Sequence, residues 1–129
     1  VKYEELLRIA KENGACPAAL RVAKWAGSIE ACLRLPQAPE WAYWLRRNCR
    51  DLPEEVKRRA ERVACREPEW ACWLRCDCAD LPEEVKVKRM AEEAACREPE
   101  WAYRLRCNCA DLPEEVKRMA EEVACSTSV

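Results

Sequence analysis

The residues with the most chemical reach in this 129-residue chain are its 11 cysteines, set in a sequence with no histidine at all. Four of them, Cys65, Cys72, Cys76 and Cys78, fall in the pattern C-x6-C-x3-C-x-C. A four-thiolate zinc site or a Cu(I) cluster needs no other ligand type, so these four define a metal-binding alternative. Cys72 and Cys76 share one helical face while Cys65 lies across a turn, which matches no zinc knuckle. A second chemistry is disulfide formation. Cys76 and Cys107 each stand two residues before a regularly recurring cysteine, and pairs Cys49–Cys76 and Cys78–Cys107 would form a ladder. Each closed loop would contribute on the order of 3 kcal/mol if unstrained. The third reading is packing alone, since cysteine is among the most buried residue types and these thiols sit beside Ala or Val.

The missing histidine removes Ser-His-Asp and Cys-His nucleophile pairs, and with them the commonest general base. No catalytic constellation replaces them, so the chain reads as a non-enzyme that requires no cofactor. Lys and Arg number 23 against 24 Asp and Glu, which gives no overall field for gathering nucleic acid or an anionic membrane. No apolar run approaches the roughly 20 residues that span a bilayer, and no leader is recognisable at Val1, which tilts the expected setting toward the cytoplasm.

The elements that carry these residues come from an internal repeat. Residues 39–67, 68–98 and 99–129 each open on Pro-Glu-Trp-Ala and share an Asp-Leu-Pro-Glu-Glu-Val turn. Residues 1–38 are a diverged copy. Cysteines recur 16 apart at Cys16/Cys32, Cys49/Cys65 and Cys109/Cys125, and 18 apart at Cys78/Cys96, where the chain reads Val-Lys-Val-Lys at 85–88. Two residues inserted within a helix would rotate one side by about 200°, so the insertion is expected at the helix start or in a bulge.

Each copy predicts a helix pair. The first helix opens on proline, whose missing N–H costs nothing there, and carries Trp41, Ala42, Trp44, Leu45 and Cys49 at helical spacing. Asp51/Glu54, Asp80/Glu83 and Asp111/Glu114 have capping-box spacing for the second helix. That helix places Val56, Ala60, Val63 and Ala64 inward and Lys57, Arg58, Arg59, Glu61 and Arg62 outward. Glu54, Glu55, Glu83, Glu84, Glu114 and Glu115 suit helix starts through the dipole. In the first copy, Asn13-Gly14 predicts a left-handed helix end, and Gly27-Ser28 a break before a continuation from Ile29 to Leu35. The expected fold is all-α, a single domain over 1–129 built as a short α-solenoid of about four stacked helical hairpins.

The segment Asn48-Cys49-Arg50-Asp51-Leu52-Pro53-Glu54-Glu55-Val56 resembles the leucine-rich-variant family, whose units carry a similar Asn-x-x-x-Leu-Pro-x-Glu-Val turn and alternate α and 3₁₀ helices. The iron–sulfur cluster known in that family does not transfer, because only Cys16 and Cys32 lie in the N-terminal segment. Gly14-Ala15-Cys16-Pro17-Ala18-Ala19-Leu20, with Trp41-x-x-Trp44-Leu45, resembles uncharacterised bacterial and phage proteins, some of them immunity proteins. That resemblance implies a binding protein.

Stacked copies would align Arg46, Arg75 and Arg106, with Arg47 and Arg104 nearby, into a stripe able to meet carboxylates or phosphates. Trp44 and Trp73 are replaced by Arg104 in the last copy, which places that position at a groove edge. With Tyr43 and Tyr103 these residues form the expected face for a protein partner, because aromatic and Arg side chains dominate binding hot spots. A nucleic-acid partner ranks below a protein because only the Arg stripe favours it.

Overall fold

The computed structural model describes residues 2–83 and 86–126. Among the described residues every regular element is helical: α1 (Tyr3–Glu12), α2 (Pro17–Ala26), α3 (Ile29–Leu33), α4 (Ala38–Asn48), α5 (Glu54–Ala64), α6 (Pro68–Asp77), α7 (Val87–Ala95), α8 (Pro99–Asn108) and α9 (Glu114–Cys125). The chain divides into two compact units, Val1–Val63 and Ala64–Val129. None of the described helices is long and apolar enough to cross a membrane.

In the first unit α1 packs on α2, and α2 on α3. Gly14 takes φ +92°, past the end of α1, and Gly27 takes φ +86° at the end of α2. A Cβ at either site would be strained, which is why the chain turns there. Ser28 then caps α3, its hydroxyl accepting from Ala31 N–H at 3.1 Å. The break expected at Gly27-Ser28 is present, and the helix after it stops at Leu33. Ile9, Cys49 and Leu52 form a buried cluster covered by Leu6, Trp44, Leu45 and Val56.

The second unit is built on small residues. Ala71, Cys72, Leu74, Ala91, Ala95, Ala102, Leu105, Val116 and Ala120 are completely buried. Alanine at these facing positions lets α6 approach α7 and α8, and α8 approach α9, closely. Pro68 and Pro99 stand at the first helical position, preceded by extended Glu67 and Glu98.

The expected capping box forms neither at α7, whose cap residue Lys86 offers no side-chain cap, nor at α9. Helix α9 starts at Glu114 with Pro113 as its cap residue and no side-chain cap. The carbonyl of Pro113 accepts from Val116 and Lys117 N–H at 3.0 Å, and Pro53 does the same for Val56 and Lys57. Leu112, which is buried, and Pro113 stand between Asp111 and the helix start, which leaves Asp111 too far upstream to cap.

The Val-Lys insertion is taken up before the helix. Glu84 and Val85 lie outside the described residues. Lys86 takes φ 54°, the one non-glycine positive φ among those described, and α7 begins at Val87. Val87 is buried like its counterpart Val116, so the inward register survives the insertion. Left-handed lysine is strained. Lys86→Gly is therefore expected to raise stability by about 0.5–1 kcal/mol, read from the urea midpoint.

Candidate functional site: a buried Arg–Glu ladder, an exposed aromatic stripe and a thiol cluster

The three arginines at one repeat position each meet a glutamate from the second helix of their own copy. Arg46 Nε donates to Glu61 Oε2 at 2.7 Å, Arg75 Nε to Glu92 Oε2 at 2.8 Å, and Arg106 Nε to Glu121 Oε1 at 2.9 Å. The first two pairs are in the interior, with Arg46 and Arg75 only 5% and 6% exposed. Arg106 and Glu121 are open to solvent. Glu61 also lies 3.0 Å from Arg58 Nε, in an ion-pair contact that is not aligned as a hydrogen bond. Arg75 Nη2 reaches Asp111 Oδ1 at 3.3 Å, tying α6 to the turn after α8.

The expected arginine stripe is thereby corrected at two of its three positions. Glu61 was expected on the outer face of its helix and is fully buried. The signal in the sequence is recurrence: glutamate returns at one repeat position, Glu61, Glu92 and Glu121, together with arginine at Arg46, Arg75 and Arg106. A buried arginine requires such a partner, because an unpaired interior charge is very costly.

The remaining candidates divide by exposure. Trp44 is half-buried against the Ile9, Cys49 and Leu52 cluster, and its carbonyl accepts from Asn48 Nδ2 at 2.9 Å. It covers that cluster on one side and keeps part of its surface open to solvent. Tyr43 is half-buried and Arg47 exposed. Trp73 meets Trp101 edge-on, with ring centroids 6.1 Å apart, and Arg104 lies 5.4 Å over the same Trp101 ring. Arg104 thus takes the cation–π position where earlier copies place an aromatic.

Tyr103 is the exposed aromatic among these candidates, at 62%. Glu100, Tyr103, Arg104 and Cys107 follow i, i+3, i+4, i+7 spacing and all face solvent on α8. The Tyr103 hydroxyl is raised above its ordinary range by a hydrogen bond with Cys107. Beside this stripe Glu98, Pro99, Glu100, Tyr103 and Ala124 line an open cleft of about 510 Å³. In the first unit Trp25 is 85% exposed, and Val22 on the same helix is also exposed. Sequence reasoning passed over Trp25. Its signal was local: its neighbours on α2 include Arg21 and Lys24, so no apolar stripe draws the indole inward.

No disulfide joins any of the eleven cysteines. Cys49, Cys76, Cys78 and Cys107, expected to pair as a ladder, are all free thiols. Cys49 is packed with Ile9 and Leu52, whereas Cys76 has Cys72 and Cys109 as its sulfur neighbours. Cys78 is buried at the end of α6, while Cys107 is exposed on the outer stripe. Cys65, Cys72, Cys76 and Cys78 do not converge; among the described residues no group of three or more Cys, Asp or Glu is arranged to hold a metal ion. Burial pushes the Cys49 thiol up to about 11 and Cys96 to about 11.

Around Cys76 the arrangement is different. Its sulfur is held below the ordinary thiol range, first by a hydrogen bond from Cys72 and further by Arg75 and Cys109. Cys72 is raised correspondingly, by that hydrogen bond and by burial. Cys109 Sγ donates to Asp111 Oδ1 at 3.1 Å, and burial with that bond pushes its thiol up to about 12. The carboxyl of Asp111 is held below its ordinary range, first by the Cys109 hydrogen bond and then by Arg75.

Comparison with protein-family models, curated proteins and solved structures gives no match.

Proposed function

We propose that this chain is a non-enzymatic protein-interaction module, a short α-solenoid of four stacked hairpins that occludes or scaffolds a protein partner. The observation that carries this reading is the α8 stripe, where Tyr103 is 62% exposed between Glu100, Arg104 and Cys107 beside an open cleft. Tyrosine and arginine are among the side chains most enriched at the hot spots of protein interfaces, and here they stand side by side on one exposed face. The adjacency of α6 and α8, equivalent helices of successive copies, supports the stacked arrangement. An immunity or anti-defence role in a bacterium or phage fits a protein that works by covering a surface. Nucleic acid is the weaker partner class, because the charges of Arg46 and Arg75 are neutralised in the interior by Glu61 and Glu92.

The test is an affinity capture from the producing cell with the wild type, with Tyr103→Ala/Arg104→Ala, and with a control variant at exposed Glu93 of α7. The expected result is a protein retained by the wild type and the control and lost at least tenfold from the double variant, with helicity unchanged (about 1.4 kcal/mol or more). Equal retention by all three contradicts the assignment of the stripe, and capture of nucleic acid with a steep salt dependence contradicts the partner class.

A further inference from the structure

Four groups that no binding role requires converge in the second unit: Cys76 near the end of α6, Cys109 at the end of α8, Asp111 in the turn beyond, and Arg75. Cys76 and Cys109 are sulfur neighbours on successive copies. Cys109 Sγ donates to Asp111 Oδ1 at 3.1 Å, and Arg75 Nη2 holds that same oxygen at 3.3 Å. Cys76 is partly exposed and Cys109 buried, so an oxidant meets one thiol first and the other stands behind it. A partly accessible thiol backed by a second thiol and flanked by a guanidinium is the arrangement of a cysteine that is oxidised and then resolved.

We propose that Cys76 and Cys109 are a peroxide-sensitive couple, in which Cys76 is the thiol that reacts with peroxide, Cys109 the resolving thiol and Asp111 a positioning residue that holds the Cys109 thiol by accepting its hydrogen bond. In the first step the Cys76 sulfur, its proton released to solvent, attacks one oxygen of a hydroperoxide. An S–O bond forms, the O–O bond breaks, sulfur is oxidised by two electrons, and the departing hydroxide or alkoxide takes up a proton. In the second step Cys109 Sγ attacks the sulfenic sulfur as its proton passes to the departing hydroxide. The S–S bond forms and the S–O bond breaks. The hydroxide leaves as water, carrying the Cys109 proton. For hydrogen peroxide the sum is two thiols and one peroxide giving one disulfide and two waters.

The sulfurs, already neighbours, need only close to the bonding distance of about 2.05 Å. Cys109 lies past the last turn of α8, in extended backbone, so its side chain moves without unwinding a helix. Cys72 also touches Cys76, but both are fixed within α6 at i, i+4, where side chains run parallel and a bond would require the last turn to open. The bond fastens one hairpin to the next when peroxide is present and releases it when thiol reductant returns.

The experiment treats the reduced full chain with one equivalent of hydrogen peroxide, alkylates it, digests it with trypsin and sequences the cross-linked peptides by mass spectrometry. Cleavage after Arg75 separates Cys72 from Cys76, and fragment ions distinguish Cys76 from Cys78 and Cys109 from Cys107. The expected result is a linkage of Cys76 to Cys109, reversible by dithiothreitol, with the loss of two hydrogens. Exposed Cys16, whose thiol is lowered by the N–H groups of Ala19 and Ala18, serves as the internal comparison: it reacts and forms no internal bond. Asp111→Asn is expected to leave the first step intact and lengthen the life of the sulfenic acid, trapped by dimedone at Cys76. A Cys76–Cys72 linkage, a Cys78–Cys107 linkage, or oxidation at Cys16 with Cys76 left as free thiol overturns the proposal.

Discussion

Glu61→Ala is expected to destabilise the first unit by about 3–5 kcal/mol, because it strands the Arg46 guanidinium in the interior without this counter-charge. Glu61 is completely buried, and the side chain of Arg46 is 4% exposed. Urea unfolding followed by circular dichroism measures the loss. The repeat supplies its own control series. Glu92→Ala is expected to cost somewhat less, since Arg75 keeps Asp111 at 3.3 Å. Glu121→Ala removes the same contact where Arg106 and Glu121 are 40% and 53% exposed, and is expected to cost under about 1 kcal/mol. A buried ion pair need not be a net source of stability, so Arg46→Met/Glu61→Leu is expected to fold with nearly wild-type stability. Equal costs for Glu61→Ala and Glu121→Ala would show that burial does not set the value of the pair.

The second large effect is alkaline unfolding driven by thiols. Burial pushes Cys49 up to about 11, Cys96 to about 11 and Cys109 to about 12, against an unfolded thiol near 8.5. The native state therefore keeps protons that the unfolded chain has already lost. Stability from these groups is present below the unfolded value and falls as pH rises toward the folded ones. Three such thiols together remove a few kcal/mol between about pH 8.5 and 10.5. Urea midpoints across that range, in the presence of reductant, measure it. Cys49→Ala is expected to flatten the slope in the first unit, and an unchanged midpoint from about pH 8 to 10.5 would contradict the burial of these thiols.

Periodicity made much of the architecture legible. Proline at the start of α6 and α8, glycine past the end of α1 and Gly27-Ser28 between α2 and α3 each act through their own backbone preferences, so local sequence suffices. The capping box at α9 failed because spacing alone cannot weigh an aspartate against the buried leucine and the proline that follow it. The arginines failed for a different reason. Arginine is seldom buried, and what draws Arg46 and Arg75 inward is a glutamate 15 or 17 residues later on another helix. Only the recurrence of both residues in three copies carries that information. Helix packing, rather than residue type, decides that Trp44 is half covered by its neighbours while Trp25 stays exposed.

On the proposed reading the roles are separable: the buried Arg46–Glu61 and Arg75–Glu92 pairs belong to the hairpin interiors, and the α8 stripe is the surface offered to a partner. The most direct measurement is retention of the captured protein by Arg75→Met/Glu92→Leu, compared with Tyr103→Ala in the same preparation. Helicity is checked for both. The account predicts that the apolar replacement retains the partner as the wild type does, while Tyr103→Ala loses it. A folded Arg75→Met/Glu92→Leu chain that loses the partner, alongside a Tyr103→Ala chain that keeps it, would contradict the account.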